Sequence, residues 1–438
     1  MKISIFGLGY VGAVSLACLA RDGHLVIGVD VNETKLDLIR SGKSPVVEEG
    51  IVELMAQVTA SGRVSVTRSA AEAVCKSDVS LVCVGTPSAP NGGQDQSALL
   101  RLAHEFGRAL REKAENHVIV FRSTVVPGTV EDVLRPIMER ESGKRDGEGF
   151  HVCFQPEFLR EGSSIRDYDH PPFVIVGANA ERPLAVLREL FGHLPCDFHA
   201  TSIRSAEMVK YCCNNFHALK ITFANETARL CEALKVDPFQ VMDLVCKDSQ
   251  LNISSAYLKP GFAFGGSCLP KDLRATVYLA KTHDVELPML SAILPSNRVH
   301  LERAVEKVLA SGKRRIGMIG LSFKTGTDDL RESPLVVIAE HFIGKGLSLL
   351  VYDPDVQMSR LLGANRRFIE QHIPHIGSLL RPSIEEVIRE SEVIIIGLTD
   401  AQVTSALQRL AREDQLVLDL VNGLPREKRR GNMVGLCW

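Results

Sequence analysis

The chain has 438 residues, 45% hydrophobic and 24% charged, with 51 Lys plus Arg against 53 Asp plus Glu. That length allows two to four domains, and a formal charge of −2 excludes a strongly basic nucleic-acid binder and a polyacidic tail protein. No apolar run reaches the ~18 residues a membrane helix needs. The N-terminus opens on a strand-like M-K-I-S-I-F with no signal-peptide pattern, so a cytoplasmic location is expected.

In chain order, strands are predicted at Lys2–Phe6, Leu25–Asp30, Ser80–Val84, Val118–Arg122 and Val174–Val176, separated by helical patterns with i, i+3, i+4 apolar spacing. Such alternation predicts βαβ units and a parallel sheet. A second series begins near Arg315: R-I-G-M-I-G-L-S, S-L-L-V-Y-D, E-V-I-I-I-G-L-T-D and L-V-L-D-L-V-N. It repeats the order of the first series, and the acidic residue after the second strand recurs as Asp353. The predicted fold is α/β, with Rossmann-like domains at both ends. Between them, Ser205 to Val236 contains neither Gly nor Pro. A continuous helix there would be roughly 45 Å long. It would act as a spine joining the two ends and as the interface of a homodimer or higher homo-oligomer. The expected domains are 1–202, 203–300 and 301–438.

Residues 7–12 read G-L-G-Y-V-G, directly after the first strand and before an apolar helix. Gly7 and Gly9 allow a tight turn and close approach of a pyrophosphate, Gly12 lets the helix pack on the strand, and the helix N-terminus attracts phosphate. Asp30 ends the second strand, where a carboxylate binds ribose hydroxyls and repels a 2′-phosphate. Val31, Asn32 and Glu33 bring no arginine, so NAD is favoured over NADP. Two further loops, V-G-T-P at 84–87 and R-S-T-V at 122–125, leave strand ends on the same edge. They offer the hydroxyls of Thr86 and Thr124 to the cofactor.

On the predicted spine, Lys210, Asn214, His217 and Asn225 fall within an arc of about 80°, among apolar neighbours such as Val209, Leu219, Ile221 and Phe223. Either the stripe faces water or it faces a ligand. Residues 260–272 read P-G-F-A-F-G-G-S-C-L-P-K-D. The glycines permit unusual backbone angles. Lys271, three residues beyond Cys268, raises the thiolate content of that cysteine, which marks it as the nucleophile. The other ten of the eleven cysteines show no C-x-x-C or Cys/His cluster, so no metal is expected. In Q-P-E-F-L-R-E at 155–161, Glu157 and Glu161 share a face if the segment is helical, and one can act as base toward a water. The loop G-L-S-F-K-T-G-T-D-D-L-R-E-S-P at 320–334 takes the nucleotide-loop position of the second Rossmann unit. It lacks G-x-G-x-x-G but carries Lys324 and Arg331, which suits a phosphate-bearing ligand other than a dinucleotide.

These four motifs together resemble the nucleotide-sugar 6-dehydrogenases, whose members oxidise UDP-glucose or GDP-mannose. F-A-F-G-G-S-C-L-P-K-D, L-N-I-S at 251–254 and the terminal C-W are similar to the GDP-mannose-oxidising, alginate-pathway branch. The UDP-glucose branch is the alternative. The resemblance implies Cys268 as nucleophile, with Lys210, Asp272, Glu161 and Asn214 also catalytic. It implies NAD contacts from Gly7, Gly9, Tyr10, Val11, Gly12, Asp30, Lys35, Thr86, Thr124, Lys271 and Arg331. It further implies a nucleotide-sugar pocket lined by Glu161, Lys210, Asn214, His217, Asn225, Tyr257, Lys259, Phe262, Gly265 and Lys324. Lys259 stands where arginine is usual in that branch, and keeps the charge but not the planar fork. Ala256 replaces an aromatic. The implied reaction is a four-electron oxidation of a sugar 6-hydroxyl through a cysteine thiohemiacetal and thioester.

Overall fold

The computed structural model describes residues 1–87, 89, 93–160, 162–254, 256–257, 260–266, 268–322, 330, 332–354, 356, 376–424 and 432–437. The chain divides into two compact units, residues 1–218 and 219–438.

The first unit carries β1 (Lys2–Phe6), β2 (Leu25–Val29), β3 (Val64–Thr67), β4 (Val79–Val82), β5 (His117–Phe121), β6 (Arg145–Asp146), β7 (Gly149–Phe154), β8 (Phe173–Ala178) and β9 (Asp197–Thr201). They form one sheet in the order β3-β2-β1-β4-β5-β7-β8-β9, with β6 beside β7. Only the β7–β8 pairing is antiparallel. The side-chain period of two explains why the strands read as unbroken apolar runs: both faces are covered. Ile3, Ile5, Leu81 and Val120 pack into the core on one face. Phe6, Val82, Ile119 and Phe121 pack into the core on the other.

The second unit repeats the scheme with β10 (Arg315–Ile319), β11 (Ser348–Tyr352), β12 (Val393–Ile396), β13 (Leu416–Asp419) and β14 (Met433–Gly435). Their order is β11-β10-β12-β13-β14, and every pairing is parallel. The two sheets therefore share the arrangement expected from the paired motifs. Each also shares one hydrogen bond that shapes its first loop. Asp30 Oδ2 accepts from the Leu8 amide at 2.7 Å, and Asp353 Oδ2 accepts from the Leu321 amide at 2.7 Å.

Three strands end earlier than predicted. Asp30, Val84 and Arg122 lie beyond the ends of β2, β4 and β5, because their backbones have already turned into the loops of the sheet's C-terminal edge. β3 and β9, with sequences V-S-V-T and D-F-H-A-T, carry too short an apolar pattern to be predicted.

The spine is a single helix, Ile203–Leu234, of 32 residues. It runs two residues ahead of the predicted span at both ends. Ser202 Oγ accepts from the Ser205 amide at 3.2 Å, an N-cap, and Lys235 stops the helix in a left-handed conformation at φ +57°. Every residue from 214 to 223 is exposed. The described residues contain no helix long and apolar enough to cross a membrane.

At the start of β5 in the first sheet, His117 is fully buried, with Nε2 2.7 Å from Ser80 Oγ. Burial, aided by the nearby Lys113 charge, holds its pKa down to about 3. The unfolded chain takes up a proton near pH 6.5 that the folded chain refuses. Stability is therefore complete above pH 6.5 and falls as the pH drops below it, by roughly 1.4 kcal/mol per unit. Urea titrations should show a loss of about 2 kcal/mol between pH 6.5 and 5, and His117→Gln should flatten that slope. An unchanged slope in the variant would place the acid sensitivity elsewhere.

Candidate active site

The first loop is built by close approach. A Cβ on Gly12 would overlap the Gly7 carbonyl, and Gly7 itself sits at φ +88° against Val84. Gly9 has open space where a Cβ would project, and it precedes a helix, Tyr10–Arg21, whose amide dipoles point at that space. Gly7, Gly9, Asp30 and Lys35 line one cavity of about 440 Å³ together with Val31, Arg68 and Arg101. The Asp30 carboxylate is oriented by the Leu8 and Asn32 amides at 2.7 and 2.9 Å and by Lys35 Nζ at 3.3 Å. Arg68, brought in by β3, faces Glu33 at 3.9 Å. These residues fit a dinucleotide: open space for a phosphate at Gly9, beside a fixed carboxylate of the kind that takes ribose hydroxyls. Val11 is the second residue of the same helix. Tyr10, in the same first turn, accepts hydrogen bonds from the Gly162 amide at 2.9 Å and from Ser164 Oγ at 3.1 Å.

Thr86 and Thr124 come together as anticipated. Thr86 Oγ1 donates to the Thr124 carbonyl at 2.8 Å. Gln94, which the motifs did not single out, donates to both, at 3.0 Å to Thr86 Oγ1 and 2.6 Å to the Thr124 carbonyl, and at 3.3 Å to Tyr211 of the spine.

The polar stripe divides. Lys210 is buried, and its Nζ donates to the Glu157 carbonyl at 2.6 Å, pairs with Glu157 Oε1 at 3.0 Å and lies 5.2 Å from the Phe158 ring centroid. Asn214, His217 and Asn225 are exposed. Residues 155–160 form no helix, which corrects the conditional expectation of a shared Glu157/Glu161 face. Pro156 lacks an amide hydrogen, and the Glu157 carboxylate accepts from the Leu159 amide at 2.8 Å, a local bond that competes with helix.

In the second unit Cys268 is exposed and caps the helix Leu269–Thr282. Lys271, three residues on, is paired with Asp272, whose Oδ1 lies 2.8 Å from its Nζ. Both are exposed. All eleven cysteines lie among the described residues and none is in a disulfide. Phe262 lines a cavity of about 650 Å³ with Gly261, Phe264 and His300. The loop before Cys268 is clamped by Asn297, which both donates to and accepts from the Phe264 backbone, at 2.9 and 3.0 Å. Tyr257 is exposed in a left-handed conformation at φ +61°. Glu161, Lys259, Lys324 and Arg331 lie outside the described residues. Among the described residues no group of three or more His, Cys, Asp or Glu side chains converges to hold a metal.

Sequence reasoning missed the supports. Glu48, 8% exposed, accepts from the Gly162 and Ser164 amides at 2.9 and 3.2 Å. Glu207, fully buried, accepts from the Gly128 and Val130 amides at 2.6 and 3.1 Å. Their partners are 77 to 116 residues distant in sequence, so no local pattern reveals them.

Sequence models of the UDP-glucose/GDP-mannose dehydrogenase family match three consecutive stretches: its NAD binding domain over residues 1–195, its central domain over 204–299 and its UDP binding domain over 317–426. A GDP-mannose 6-dehydrogenase of Pseudomonas aeruginosa is 47% identical over 435 residues, covering 99% of this chain and 97% of the relative. A UDP-glucose 6-dehydrogenase of Haloferax volcanii is 36% identical over 365 residues, covering 81% and 83%. A crystal structure of a ternary complex of GDP-mannose dehydrogenase from Pseudomonas aeruginosa is 46% identical and covers the whole of both chains, with a TM-score of 0.97.

The Lys210–Glu157 pair, 10% exposed on each side, is expected to matter for folding. Glu157→Ala leaves a buried ammonium without its carboxylate and should destabilise the protein by about 3 kcal/mol in urea unfolding. Glu157→Gln should cost less. A loss below about 0.5 kcal/mol in the alanine variant would mean that water solvates the ammonium.

Proposed function

The chain belongs to the UDP-glucose/GDP-mannose dehydrogenase family, and from that premise we propose that it oxidises the 6-hydroxyl of GDP-mannose to GDP-mannuronate, a precursor for an alginate-type exopolysaccharide. It is an NAD-dependent nucleotide-sugar dehydrogenase. The observation that carries the mechanism is the placement of Cys268: exposed, at a helix N-terminus, with Lys271 three residues on. GDP-mannose is favoured over UDP-glucose by the full-length 47% identity to a GDP-mannose enzyme, against 36% over a shorter span to a UDP-glucose enzyme.

NAD, when bound, supplies the hydride acceptor for each two-electron step. Gly7, Gly9, Tyr10, Val11, Gly12, Asp30, Lys35, Thr86, Thr124, Lys271 and Arg331 would hold it. Lys210, fixed by Glu157, or a water held by Asp272 and Lys210 takes the hydroxyl proton or stabilises the negative charge that develops on the sugar oxygen. The Cys268 sulfur adds to the aldehyde carbon and keeps it bound as a thiohemiacetal. Loss of a second hydride leaves a thioester, and Glu161 activates the water that hydrolyses it. Asn214, His217, Asn225, Tyr257, Lys259, Phe262, Gly265 and Lys324 complete the substrate pocket. The three working domains are 1–202, 203–300 and 301–438, and the compartment is the cytoplasm.

The assembly is a homodimer built on the spine. Phe216, Leu219, Ile221 and Phe223 are all exposed on the isolated chain, Ile221 at 63%, and the nearby helix Pro238–Lys247 buries no residue at all. Apolar surface of that extent on one helix calls for a partner. A second copy offers the same patch to itself about a two-fold axis.

With GDP-mannose and UDP-glucose offered side by side, kcat/KM should favour GDP-mannose by about 100-fold, with two NADH formed per sugar. Cys268→Ser should abolish the second oxidation. Full four-electron turnover by that variant would overturn the covalent route, and preference for UDP-glucose would move the assignment to the other branch. In light scattering, Ile221→Glu should shift the wild-type dimer toward monomer. A variant that stays dimeric would place the interface elsewhere.

A further inference from the structure

Glu332 touches the polypeptide on both sides of Cys268. On the N-terminal side, the Gly266 amide donates to the Glu332 carbonyl at 3.4 Å, and Gly265 lies so close to that carbonyl and to Pro334 that a Cβ there would overlap both. On the C-terminal side, the Glu332 carboxylate takes a two-point ion pair from Arg274, with Nη1 to Oε2 at 2.9 Å and Nη2 to Oε1. Arg274 stands on the helix that Cys268 caps. Glu332 is itself held in a left-handed conformation at φ +51°, a strained position for a residue with a Cβ. It is fixed there by its neighbour Ser333, fully buried, whose Oγ donates to the Leu321 carbonyl at 2.7 Å beyond the end of β10 and accepts from the Leu335 amide at 3.3 Å.

We propose that Glu332 and Arg274 are positioning residues for the Cys268 thiol: one residue, anchored to the C-terminal edge of the second sheet, grips the backbone before the cysteine through its carbonyl and the helix after it through its carboxylate. Planar two-point pairing is what makes arginine suitable here, since it fixes the rotation of the helix as well as its distance. The pair is solvent-exposed, with Arg274 at 53% and Glu332 at 41%, so it adds little to overall stability. Its effect falls on the placement of the first turns of the helix. The inference rests on the reading of Cys268 as the nucleophile.

The test uses full-length Arg274→Ala, Arg274→Lys and Glu332→Ala. Three quantities are measured: the melting temperature, kcat and KM for both substrates, and the rate at which iodoacetamide alkylates Cys268, followed by mass spectrometry of that peptide. Arg274→Ala and Glu332→Ala should leave the melting temperature within about 2 °C, lower kcat about tenfold with KM within about twofold, and change the alkylation rate at least threefold. Arg274→Lys should recover part of kcat by keeping the charge without the fork. Wild-type kcat in both alanine variants, or a fall in kcat with an unchanged alkylation rate, overturns the proposal. Cys268→Ser separates the two levels. If that variant completes both oxidations, the nucleophile reading fails. If it does not, and Arg274→Ala behaves as wild type, only the positioning role fails.

Discussion

A buried charge must find a partner, and in the first unit that requirement organises the C-terminal edge of the sheet. The opening turns of the spine carry Glu207, Lys210 and Tyr211, and each is tied to a different loop. Glu207 takes the amides of Gly128 and Val130 after β5. Lys210 takes the carbonyl and carboxylate of Glu157 after β7. Tyr211 receives Gln94, which in turn grips Thr86 and Thr124 after β4 and β5. Left unpaired, either charge would cost several kcal/mol. The loops therefore settle around the helix, and the hydroxyls and carboxylates on them acquire fixed places.

The two sheets show how one arrangement serves two purposes. In both, an aspartate after the second strand accepts the amide that follows the first strand. Asp30 keeps a cavity in front of it and stays available to a ribose. Asp353 also accepts from the Ser322 amide at 3.1 Å and from Ser322 Oγ at 3.3 Å, and is only 5% exposed. The carboxylate that lines a cavity in the first sheet is committed to the loop in the second. That difference agrees with the loss of the G-x-G-x-x-G spacing at 320–334.

The cysteine loop depends on backbone more than on side-chain charge. Lys271, the cation that marks Cys268 in the sequence, shares its charge with Asp272 in solvent. The steady contributions are the helix N-terminus that Cys268 caps, the Asn297 clamp on Phe264 and the close seat of Gly265 on Glu332. These are short-range and directional, so they hold the sulfur in place where a mobile ammonium cannot.

Much of this was legible in the residues alone, because the signals were local. Strand runs, the spine's freedom from Gly and Pro, G-L-G-Y-V-G with Asp30 behind it, and a cysteine followed by lysine each depend on neighbours within a few positions or on a fixed period. Those features determined the α/β class, the two Rossmann-like series and the NAD site. Only the tertiary structure decided that Lys210 is buried against Glu157 while Asn214 and His217 are exposed on the isolated chain, that the 155–160 segment is irregular, and that Glu48, Glu207, Gln94 and Glu332 hold these loops. The Lys210, Glu48 and Glu207 outcomes are hydrogen bonds or ion pairs between residues 53 to 116 positions apart. Burial and partnership are properties of the packed chain, and no period or motif along the sequence encodes them.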